Sequence, residues 1–344
     1  RLRLGVTCEP SAEAELPSPP STDVRAQRYR FPVKMTADLA EFFGLMVADG
    51  SLFRAGFRLV KRHRDVGRRF ATLARRLFGA RPKPISVLGT PGYEVCSTQI
   101  ADWLRAVGGM DPKAKRVPLA VLRSSSPLHA AFLRGLFEDG SVHFDRRKRA
   151  LRLDHVEWTT AIHLLESTVR TMLLRLGIIS GTTTGRQRKV MIYGTQVVRF
   201  AKRVGFVARF KNGRLTHAAP NERSFYWIPM DPEELRLLRS TLPRHFSSQD
   251  KQNALRRCRL SRPLAERLRR HARGHLRLVL DERLAYHHEP ILRIDDSKGP
   301  SACVTVPKGH QFFQNGFSGW NSQGSEYRAV VVVMLQRHYI MLSR

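Results

Sequence analysis

The chain has 344 residues, with 60 lysines and arginines against 29 aspartates and glutamates, so its formal charge is +31 and its isoelectric point is near 11.3. This length is enough for two or three domains with buried cores. The charge points to nucleic acid as a partner, because a protein that neutralises phosphates releases their counterions. A solvated surface of GC-biased, arginine-rich composition is the alternative, and an excess that persists along most of the chain favours nucleic acid.

The four cysteines, Cys8, Cys96, Cys258 and Cys303, are widely spaced and form no CxxC pair. This spacing excludes a zinc ribbon and gives no indication of a disulfide framework. No apolar run reaches membrane-spanning length and no signal-peptide pattern occurs. We therefore expect a cytoplasmic protein with no membrane partner. Because the chain lacks a starting Met and stops after an apolar segment, we also expect a piece of a longer polypeptide.

Residues 1–30 are rich in proline, serine and glutamate and are typical of a linker. The spacing of apolar residues beyond them predicts alternating helices and strands, and glycines such as Gly79 and Gly108 end the helices. The predicted strands lie around residues 52–63, 142–144, 151–158 and 190–193, with two more between residues 79 and 100. The predicted helices cover residues 37–47, 66–78, 100–107, 128–137, 161–176 and 197–204.

The second half of this stretch repeats the first. About 175 residues form an internal duplication of a helix, two strands, a helix, two strands and a helix. Pseudo-twofold symmetry suits a protein that faces duplex DNA, whose two backbones are themselves related by a twofold axis. The matched positions are Thr98-Gln99 with Thr195-Gln196, Trp103 with Phe200, Arg105 with Lys202, and Gly108 with Gly205.

The remainder of the chain differs in composition from the duplicated part. Residues 230–284 are rich in arginine and leucine and predict further helices. From residue 290 onward the apolar runs become short, which predicts strands at 291–294, 303–306, 312–313 and 330–334.

Two short segments, one in each repeat, have nearly the same pattern. Residues 43–51 read FGLMVADGS and residues 133–141 read LRGLFEDGS. Each is an apolar helix that carries a glycine and closes on Asp-Gly-Ser. One copy alone would indicate only a packing helix followed by a turn. Two copies at duplicate positions in a basic protein place two carboxylates near a polyanion, as metal-dependent phosphodiester hydrolysis requires.

These motifs resemble those of the intein-borne (DOD-type) LAGLIDADG homing endonucleases. The resemblance implies an α+β fold over residues 31–210, a duplicated α-β-β-α-β-β-α endonuclease with a basic β saddle. It implies that Gly44 and Ala48 pack against Gly135, and that Asp49 and Asp139 are catalytic ligands of Mg²⁺ or Mn²⁺. The implied substrate is a long, asymmetric site in double-stranded DNA, bound by a monomer because both repeats lie on one chain.

The second motif is one residue shorter than the first. Gly44 precedes Asp49 by five positions, whereas Gly135 precedes Asp139 by four. On a helix this difference is about 100° of rotation. Either Asp139 follows a tightened helix end, or Glu138 takes part instead. Asp139 is the favoured ligand because Gly-Ser follows the acid in both copies.

Residues 115–118, KRVP, precede the second motif helix and resemble the Lys-x-Ile-Pro element of the family. The resemblance implies that Lys115 stabilises charge at the cleaved phosphate, while an ordinary basic loop explains these residues equally well. Segments 54–62 and 146–152 would form the saddle, with one basic face and one apolar face. The expected DNA contacts are Arg54, Arg58, Lys61, Arg62, Arg146, Arg147, Lys148, Arg152, Arg188 and Lys189.

Residues 301–306, 310–312 and 315–322 resemble the last two conserved blocks of an intein splicing (Hint) domain, which is all-β. The resemblance implies that Asn321 cyclises and releases Ser322, a hydroxyl nucleophile, with assistance from His310. Two positions depart from the family pattern. Trp320 stands where most members have histidine, and Cys303 stands where aspartate is common, so Cys303 is either a nucleophile or a buried apolar residue.

Residues 322–344 resemble the Ser-Gln-Gly-Ser-Glu motif and next strand of RecD-like helicases, the implied host polypeptide of the intein. No P-loop occurs, so this chain is not itself a helicase. Pro10 stands where the upstream splicing histidine is expected, so cleavage after Asn321 is the most that we expect. The alternative function is a DNA-binding, cleavage-dead intein that only autoprocesses. The expected segments are 1–30 (linker or remnant), 31–210 (endonuclease), 211–284 (basic helices), 285–321 (splicing) and 322–344 (host fragment).

Overall fold

The chain divides into two compact units, one of Val6–Asn221 and one that joins Arg1–Gly5 to Glu222–Arg344. The first strand in chain order, β1 (Leu2–Arg3), belongs to the second of these units. Side chains are described within residues 16–288, and the backbone alone is described for the strands outside that range and for His287. The computed structural model describes residues 2–3, 16–19, 29–111, 114–145, 151–183, 187–217, 219–220, 226–247, 258–288, 293–296, 311–314, 317–320, 330–335 and 338–343.

The first repeat of the unit Val6–Asn221 contains an antiparallel sheet of four strands in the order β2-β3-β5-β4. Thr36 starts its first helix by accepting a hydrogen bond from the Leu39 N–H at 3.2 Å. Gly79 ends its second helix with φ of 67°, a conformation that glycine adopts without strain. The elements are α1 (Ala37–Asp49), β2 (Gly50–Phe53), β3 (Gly56–Val60), α2 (Arg64–Phe78), β4 (Lys83–Val87), β5 (Thr90–Cys96) and α3 (Thr98–Val107).

The second repeat follows a short helix, α4 (Leu119–Leu122), and has the same topology. Its strands are ordered β6-β7-β9-β8, and one further helix, α8 (Arg209–His217), follows it. Helix α4 was not predicted from the sequence, and most of α8 was assigned to the basic helices of 211–284 instead of to the duplicated part, whose compact unit extends to Asn221. The elements of the repeat are α5 (Ser126–Leu136), β6 (Ser141–Asp145), β7 (Arg152–Thr160), α6 (His163–Arg175), β8 (Gly181–Thr182), β9 (Arg188–Tyr193) and α7 (Thr195–Arg203).

The predicted duplication is present in the structure. Besides the matching sheet orders, Trp103 on α3 and Phe200 on α7 are both fully buried. Gly108 and Gly205, the residues predicted to end these two helices, both have positive φ, at 79° and 65°. The two repeats therefore use equivalent residues for equivalent packing and turn positions.

The two motif helices, α1 and α5, meet at a pair of glycines. A Cβ atom added to Gly44 would lie 2.1 Å from the carbonyl oxygen of Phe132, and one added to Gly135 would lie 2.3 Å from that of Glu41. The neighbouring atoms belong to backbone, so no side chain can rotate out of the way. The predicted packing of Gly44 against Gly135 is confirmed, and it brings the C-terminal ends of the two helices together.

An aromatic cluster anchors α1 on the first sheet and on α2. Phe42 of α1 stacks on Phe70 with ring centroids 5.4 Å apart and meets Phe57 of β3 edge-on at 5.7 Å. Such offset and edge-to-face pairs add stability beyond the area that they bury. The position of Asp49 at the end of α1 is therefore set by packing as well as by the glycine contact.

The other unit contains the helices predicted from its arginine- and leucine-rich composition. Helices Pro232–Thr241, Arg262–His271 and Gly274–Leu284 bury Leu238, Leu268 and Leu280. Among the described residues, no helix of the chain is both long and apolar enough to span a membrane. Strands Trp227–Pro229 and Arg259–Ser261 pair antiparallel in the same unit.

Further strands of this unit form two antiparallel sheets. One combines β1 with Tyr286–His287, Phe317–Trp320 and Gln311–Gln314. The predicted strand 303–306 and the residues Cys303, His310, Asn321 and Ser322 lie outside the described residues. The second sheet consists of Arg293–Asp296, Val330–Leu335 and His338–Ser343.

Candidate active site

Asp49 and Asp139 stand at the ends of the two crossed helices. Asp49 is the last residue of α1, while Asp139 ends a 3₁₀ turn, Phe137–Asp139, that continues α5. A 3₁₀ turn advances about 120° per residue instead of about 100°, so three residues recover about 60° of the rotation that the missing residue would have provided. The end of the second motif is therefore tightened, which is one of the two arrangements that the sequence left open.

Lys61, which follows β3, lies between the two acids. Its ammonium forms an ion pair with Asp49 and lies 3.6 Å from Oδ1 of Asp139. The Lys61 side chain is 12% exposed, against 34% for Asp49 and 45% for Asp139. Burial lowers the pKa of Lys61, and the negative charge of Asp139 opposes this shift. Lys61 was expected to contact DNA, but the end of β3 instead directs it toward the helix ends.

Glu138, the other acid of the second motif, points away from this pair. It is buried, with 3% of its surface exposed, and its Oε1 accepts hydrogen bonds from the N–H groups of Val207 and Ala208, the latter at 3.0 Å. These amides lie just before α8. Burial raises the pKa of Glu138, while Lys211 and the two amides oppose the shift. The carboxylate of Glu138 therefore fixes the start of α8, and Asp139 is the acid that reaches solvent.

Lys211 of α8 was not among the residues expected at the site. Its ammonium donates hydrogen bonds to the carbonyl oxygens of Glu138 and Gly140, the latter at 2.8 Å, and lies 3.7 Å from Oε2 of Glu138. These two carbonyls flank Asp139, so Lys211 holds the backbone on both sides of that acid. Burial lowers the pKa of Lys211, and the negative charge of Glu138 opposes this shift. No local sequence signal marked this lysine, which lies 71 residues from Gly140.

Lys115 also lies at this site. Its ammonium donates a hydrogen bond of 2.7 Å to the carbonyl oxygen of Ala48, the residue before Asp49. Burial lowers the pKa of Lys115, and the negative charge of Asp139 opposes this shift. Two carboxylates and two partly buried lysines therefore lie at the ends of the motif helices. Lys211 contacts the backbone on both sides of Asp139.

The expected DNA contacts of the first repeat fall into two groups. Arg54 and Arg62 are exposed, as a phosphate contact requires. Arg58 lies on β3 with its guanidinium 3.8 Å from Glu94 and 5.9 Å from the centre of the Phe53 ring. An arginine already held by a carboxylate and a ring is pre-oriented, and it exchanges one anionic partner for another when it binds a phosphate.

The expected contacts of the second repeat lie on both faces of its sheet. Lys189 of β9 forms an ion pair of 3.0 Å with Glu157 of β7. Its neighbour Arg188 lies 3.8 Å from the buried Glu166 of α6 and is therefore on the face covered by helices. Arg188 was expected to contact DNA together with Lys189, but consecutive residues of a strand point to opposite faces of the sheet. Arg152 begins β7, while Arg146, Arg147 and Lys148 lie outside the described residues.

Comparison with known proteins identifies a LAGLIDADG-like domain over residues 127–205, which cover the second repeat. No curated protein sequence matches the chain.

Solved structures are similar to part of the chain. The N-terminal LAGLIDADG domain of DUF199/WhiA has 18% identity and a TM-score of 0.36, covering 49% of this chain and 81% of its own. Full-length DUF199/WhiA from Thermatoga maritima has 17% identity and a TM-score of 0.38, with 72% and 88% covered. I-DmoI in complex with DNA and Mn has 14% identity and a TM-score of 0.37, with 49% and 96% covered.

Proposed function

We propose that this chain is a site-specific DNA endonuclease that uses a divalent metal ion to make a double-strand break. The observation that carries the proposal is the convergence of Asp49 and Asp139, one from each repeat, on the single ammonium of Lys61. Paired carboxylates are the ligands that a hard cation needs beside a scissile phosphate. The LAGLIDADG-like domain and the charge of +31 support a polyanionic DNA substrate.

The donor set fits Mg²⁺ or Mn²⁺, because carboxylate oxygens are hard ligands and these two acids already hold a cation in Lys61. In this proposal Asp49 and Asp139 hold the ion. An ion held there would supply activation of a water molecule and stabilisation of charge on the leaving oxygen. Lys61 leaves the space between the acids, and Glu138 stays with α8 and is not a ligand.

Lys115 is the residue that we propose to stabilise the cleaved phosphate. The Ala48 carbonyl holds its ammonium next to Asp49, so the positive charge is already in place before DNA binds. A fixed charge of this kind stabilises the transition state without reorganising during the reaction. Lys211 is a positioning residue in this scheme, since it acts on Asp139 through the flanking carbonyls.

Cleavage of a plasmid that carries the uninterrupted host-gene sequence tests the proposal. With Mg²⁺ or Mn²⁺ we expect a linear product, which EDTA, Asp49→Asn and Asp139→Asn each abolish. Glu138→Gln is the matched control, because it alters an acid of the same turn that faces α8, and we expect it to retain cleavage at a temperature where it is folded. Cleavage that survives Asp49→Asn would show that the paired acids are not the metal site.

A DNA-binding relic that has lost cleavage and only autoprocesses is the second candidate. The observation that favours it is Lys61 itself, whose ammonium takes the place of a metal ion between the two acids. This function predicts salt-sensitive binding to the same plasmid without a cut in either metal.

We also propose that residues 285–321 are the C-terminal part of an intein splicing domain, and that 322–344 belong to a RecD-like helicase host. Besides the sequence blocks, backbone pairing supports this: Leu2–Arg3 pairs antiparallel with Tyr286–His287, and Leu2 pairs with Phe317. Segments from both ends of the sequence thus share one sheet. In this proposal Asn321 cyclises, Ser322 is released and His310 assists, while Cys303 is a nucleophile or a buried apolar residue.

Intact mass after expression tests the autoprocessing step. Cleavage after Asn321 removes the 23 residues that follow it, and Asn321→Ala should preserve the full mass. A wild-type chain that keeps its full mass after prolonged incubation would contradict cyclisation. The remaining parts of the proposal are that the endonuclease, including α8 with Lys211, works as a monomer, in the cytoplasm, on a long asymmetric site.

A further inference from the structure

Two histidines and a glutamate form a cluster on the second sheet, apart from the paired aspartates. His143 of β6 and His155 of β7 are opposite each other in the strand register, and their rings stack with centroids 4.5 Å apart and planes 10° apart. Glu157 lies two residues along β7, so it shares the face of His155. Its Oε2 is 3.7 Å from Nε2 of His155.

The donor atoms of these three side chains converge. One donor atom from each lies within 4.8 Å of those from the other two, and among the described residues no other group of three or more histidine, cysteine, aspartate or glutamate side chains does so. The strands β6 and β7 are hydrogen-bonded neighbours, and a register shift follows His143 in their ladder. Metal binding requires these side chains to rotate until the donors reach metal-ligand distances of about 2.0–2.2 Å.

A neighbouring carboxylate already orients one of the imidazoles. Nδ1 of His155 is 2.9 Å from Oδ2 of Asp154, and with an ionised Asp154 this nitrogen is the donor. The neutral ring then carries its lone pair on Nε2, the atom that faces Glu157. A carboxylate that holds the far nitrogen of a histidine in this way is the usual support of a histidine metal ligand, since it fixes both the tautomer and the ring orientation.

We propose that His143, His155 and Glu157 bind a divalent transition metal ion, with Zn²⁺ the best fit. Two imidazole nitrogens and one carboxylate oxygen favour Zn²⁺ over Mg²⁺ or Ca²⁺, which prefer oxygen ligands alone. Three protein ligands leave a fourth position for water or for a phosphate oxygen. This site is independent of the proposed nuclease reaction, since its ligands differ in type and position from Asp49 and Asp139.

Lys189 competes with the metal for Glu157. Its ammonium lies 3.0 Å from Oε1 and 3.2 Å from Oε2 of that carboxylate, so metal binding displaces it. Ser141 likewise gives up its 2.7 Å contact between Oγ and Nε2 of His143 if that nitrogen is the ligand. The released Lys189 is one of the expected DNA contacts, so the metal adds its own charge to this face and frees a lysine for phosphate.

Zn²⁺ titration against a chromophoric chelator tests the site, with Co²⁺ absorption as an independent measure of nitrogen ligation. The full chain carries Asp49→Asn and Asp139→Asn, so that the carboxylate pair does not contribute. We expect one Zn²⁺ site, weakened at least tenfold by His155→Ala or Glu157→Gln and about 10- to 100-fold by Asp154→Asn. Lys189→Met should strengthen binding, because the competing ammonium is gone.

The stacked pair His245 and His271 provides the matched control. Its ring centroids are 4.1 Å apart, but no third ligand completes a group there among the described residues, so His271→Ala should leave the Zn²⁺ affinity unchanged. Thermal melting in EDTA shows that each variant is folded. Binding that is insensitive to His143→Ala, His155→Ala and Glu157→Gln would overturn the proposal, as would a Lys189→Met variant that binds more weakly. Neither outcome depends on whether the protein cuts DNA.

Discussion

At the scale of single residues, the candidate active site combines two negatively charged aspartates with positively charged lysines that are partly or fully buried. Lys61 is the least exposed of the groups that meet between the motif helices, and its ammonium pairs with both Asp49 and Asp139. Removing that ammonium from water is costly, and its attraction to the two carboxylates offsets part of the cost. In the proposed function a divalent ion would replace the ammonium and supply one more positive charge.

Replacement of Lys61 should make the stability of the protein depend on metal. In Lys61→Met the two acids lose their shared cation and repel each other, so the apo protein melts at a lower temperature than wild type. A saturating concentration of Mg²⁺ or Mn²⁺ should recover the loss, since a ligand that binds only the folded state stabilises it by mass action. Differential scanning fluorimetry with and without metal measures both effects.

The matched control is the triple variant Lys61→Met, Asp49→Asn, Asp139→Asn, which has neither the cation nor the acids. Its melting temperature should not respond to Mg²⁺, which prefers oxygen ligands alone and so is not expected at the histidine cluster. A Lys61→Met protein that melts as wild type does and ignores metal would contradict the assignment of the acids as ligands.

At the scale of elements, the crossing of α1 and α5 positions the acids. Gly135→Ala places a methyl group against the Glu41 carbonyl oxygen and the Leu45 nitrogen, at 2.3 and 2.7 Å. Because both are backbone atoms, the helices must separate, at a cost of about 1–3 kcal/mol or more in unfolding free energy. Denaturant unfolding measures this loss, and cleavage should fall with it because the acids move apart.

Gly213 of α8 offers a control for the same substitution. A Cβ atom there meets nothing within 4 Å, so Gly213→Ala should stabilise the protein by up to about 1 kcal/mol through helix propensity. Equal effects of alanine at Gly135 and Gly213 would show that the crossing is not tightly packed.

A buried ion pair between Lys211 and Glu138 is one of the contacts between α8 and the second motif. Lys211→Met leaves the buried Glu138 carboxylate without its cation and removes the hydrogen bonds to the carbonyls that flank Asp139. We expect a loss of about 3–5 kcal/mol in unfolding free energy, the usual result of breaking a buried pair. Adding Glu138→Gln to Lys211→Met should recover part of that loss, as a double-mutant cycle in denaturant reveals.

At the scale of the whole molecule, the excess of 60 basic over 29 acidic residues should govern the affinity for the DNA substrate that we propose. If six to ten phosphates are neutralised, affinity should fall about 10³- to 10⁵-fold between 50 and 200 mM salt. Fluorescence anisotropy with a labelled duplex over this range measures the slope. A salt-independent affinity would contradict a phosphate-dominated interface.

Exposed and paired arginines should contribute differently to that slope. Arg54→Ala and Arg62→Ala, which remove exposed side chains, should each lower the slope by about 0.9. Arg188→Ala is the control, because its guanidinium faces the buried Glu166 on the helix-covered side. A drop in slope for Arg188→Ala equal to that for Arg54→Ala would contradict the assignment of strand faces.

Local patterns in the sequence were enough to predict most of the duplicated fold. The helices end at Gly79 and Gly108, as predicted, because glycine adopts a positive φ without strain. The packing of Gly44 against Gly135 also followed from the sequence, since small residues at equivalent places in two apolar helices allow close approach. Periodicity and turn residues act over a few positions, and so they can be read without knowledge of the tertiary contacts.

The sequence by itself therefore determined the repeat, the helix ends and the two motif acids, while the tertiary structure decided how their surroundings are charged. Lys61 lies near Glu138 across 77 positions and Lys211 reaches Gly140 across 71. Arg188 and Lys189 are adjacent in sequence yet lie on opposite faces of one sheet. Such pairings depend on which elements pack together and on strand register. They therefore cannot be predicted from the residues that neighbour a lysine or arginine in the sequence.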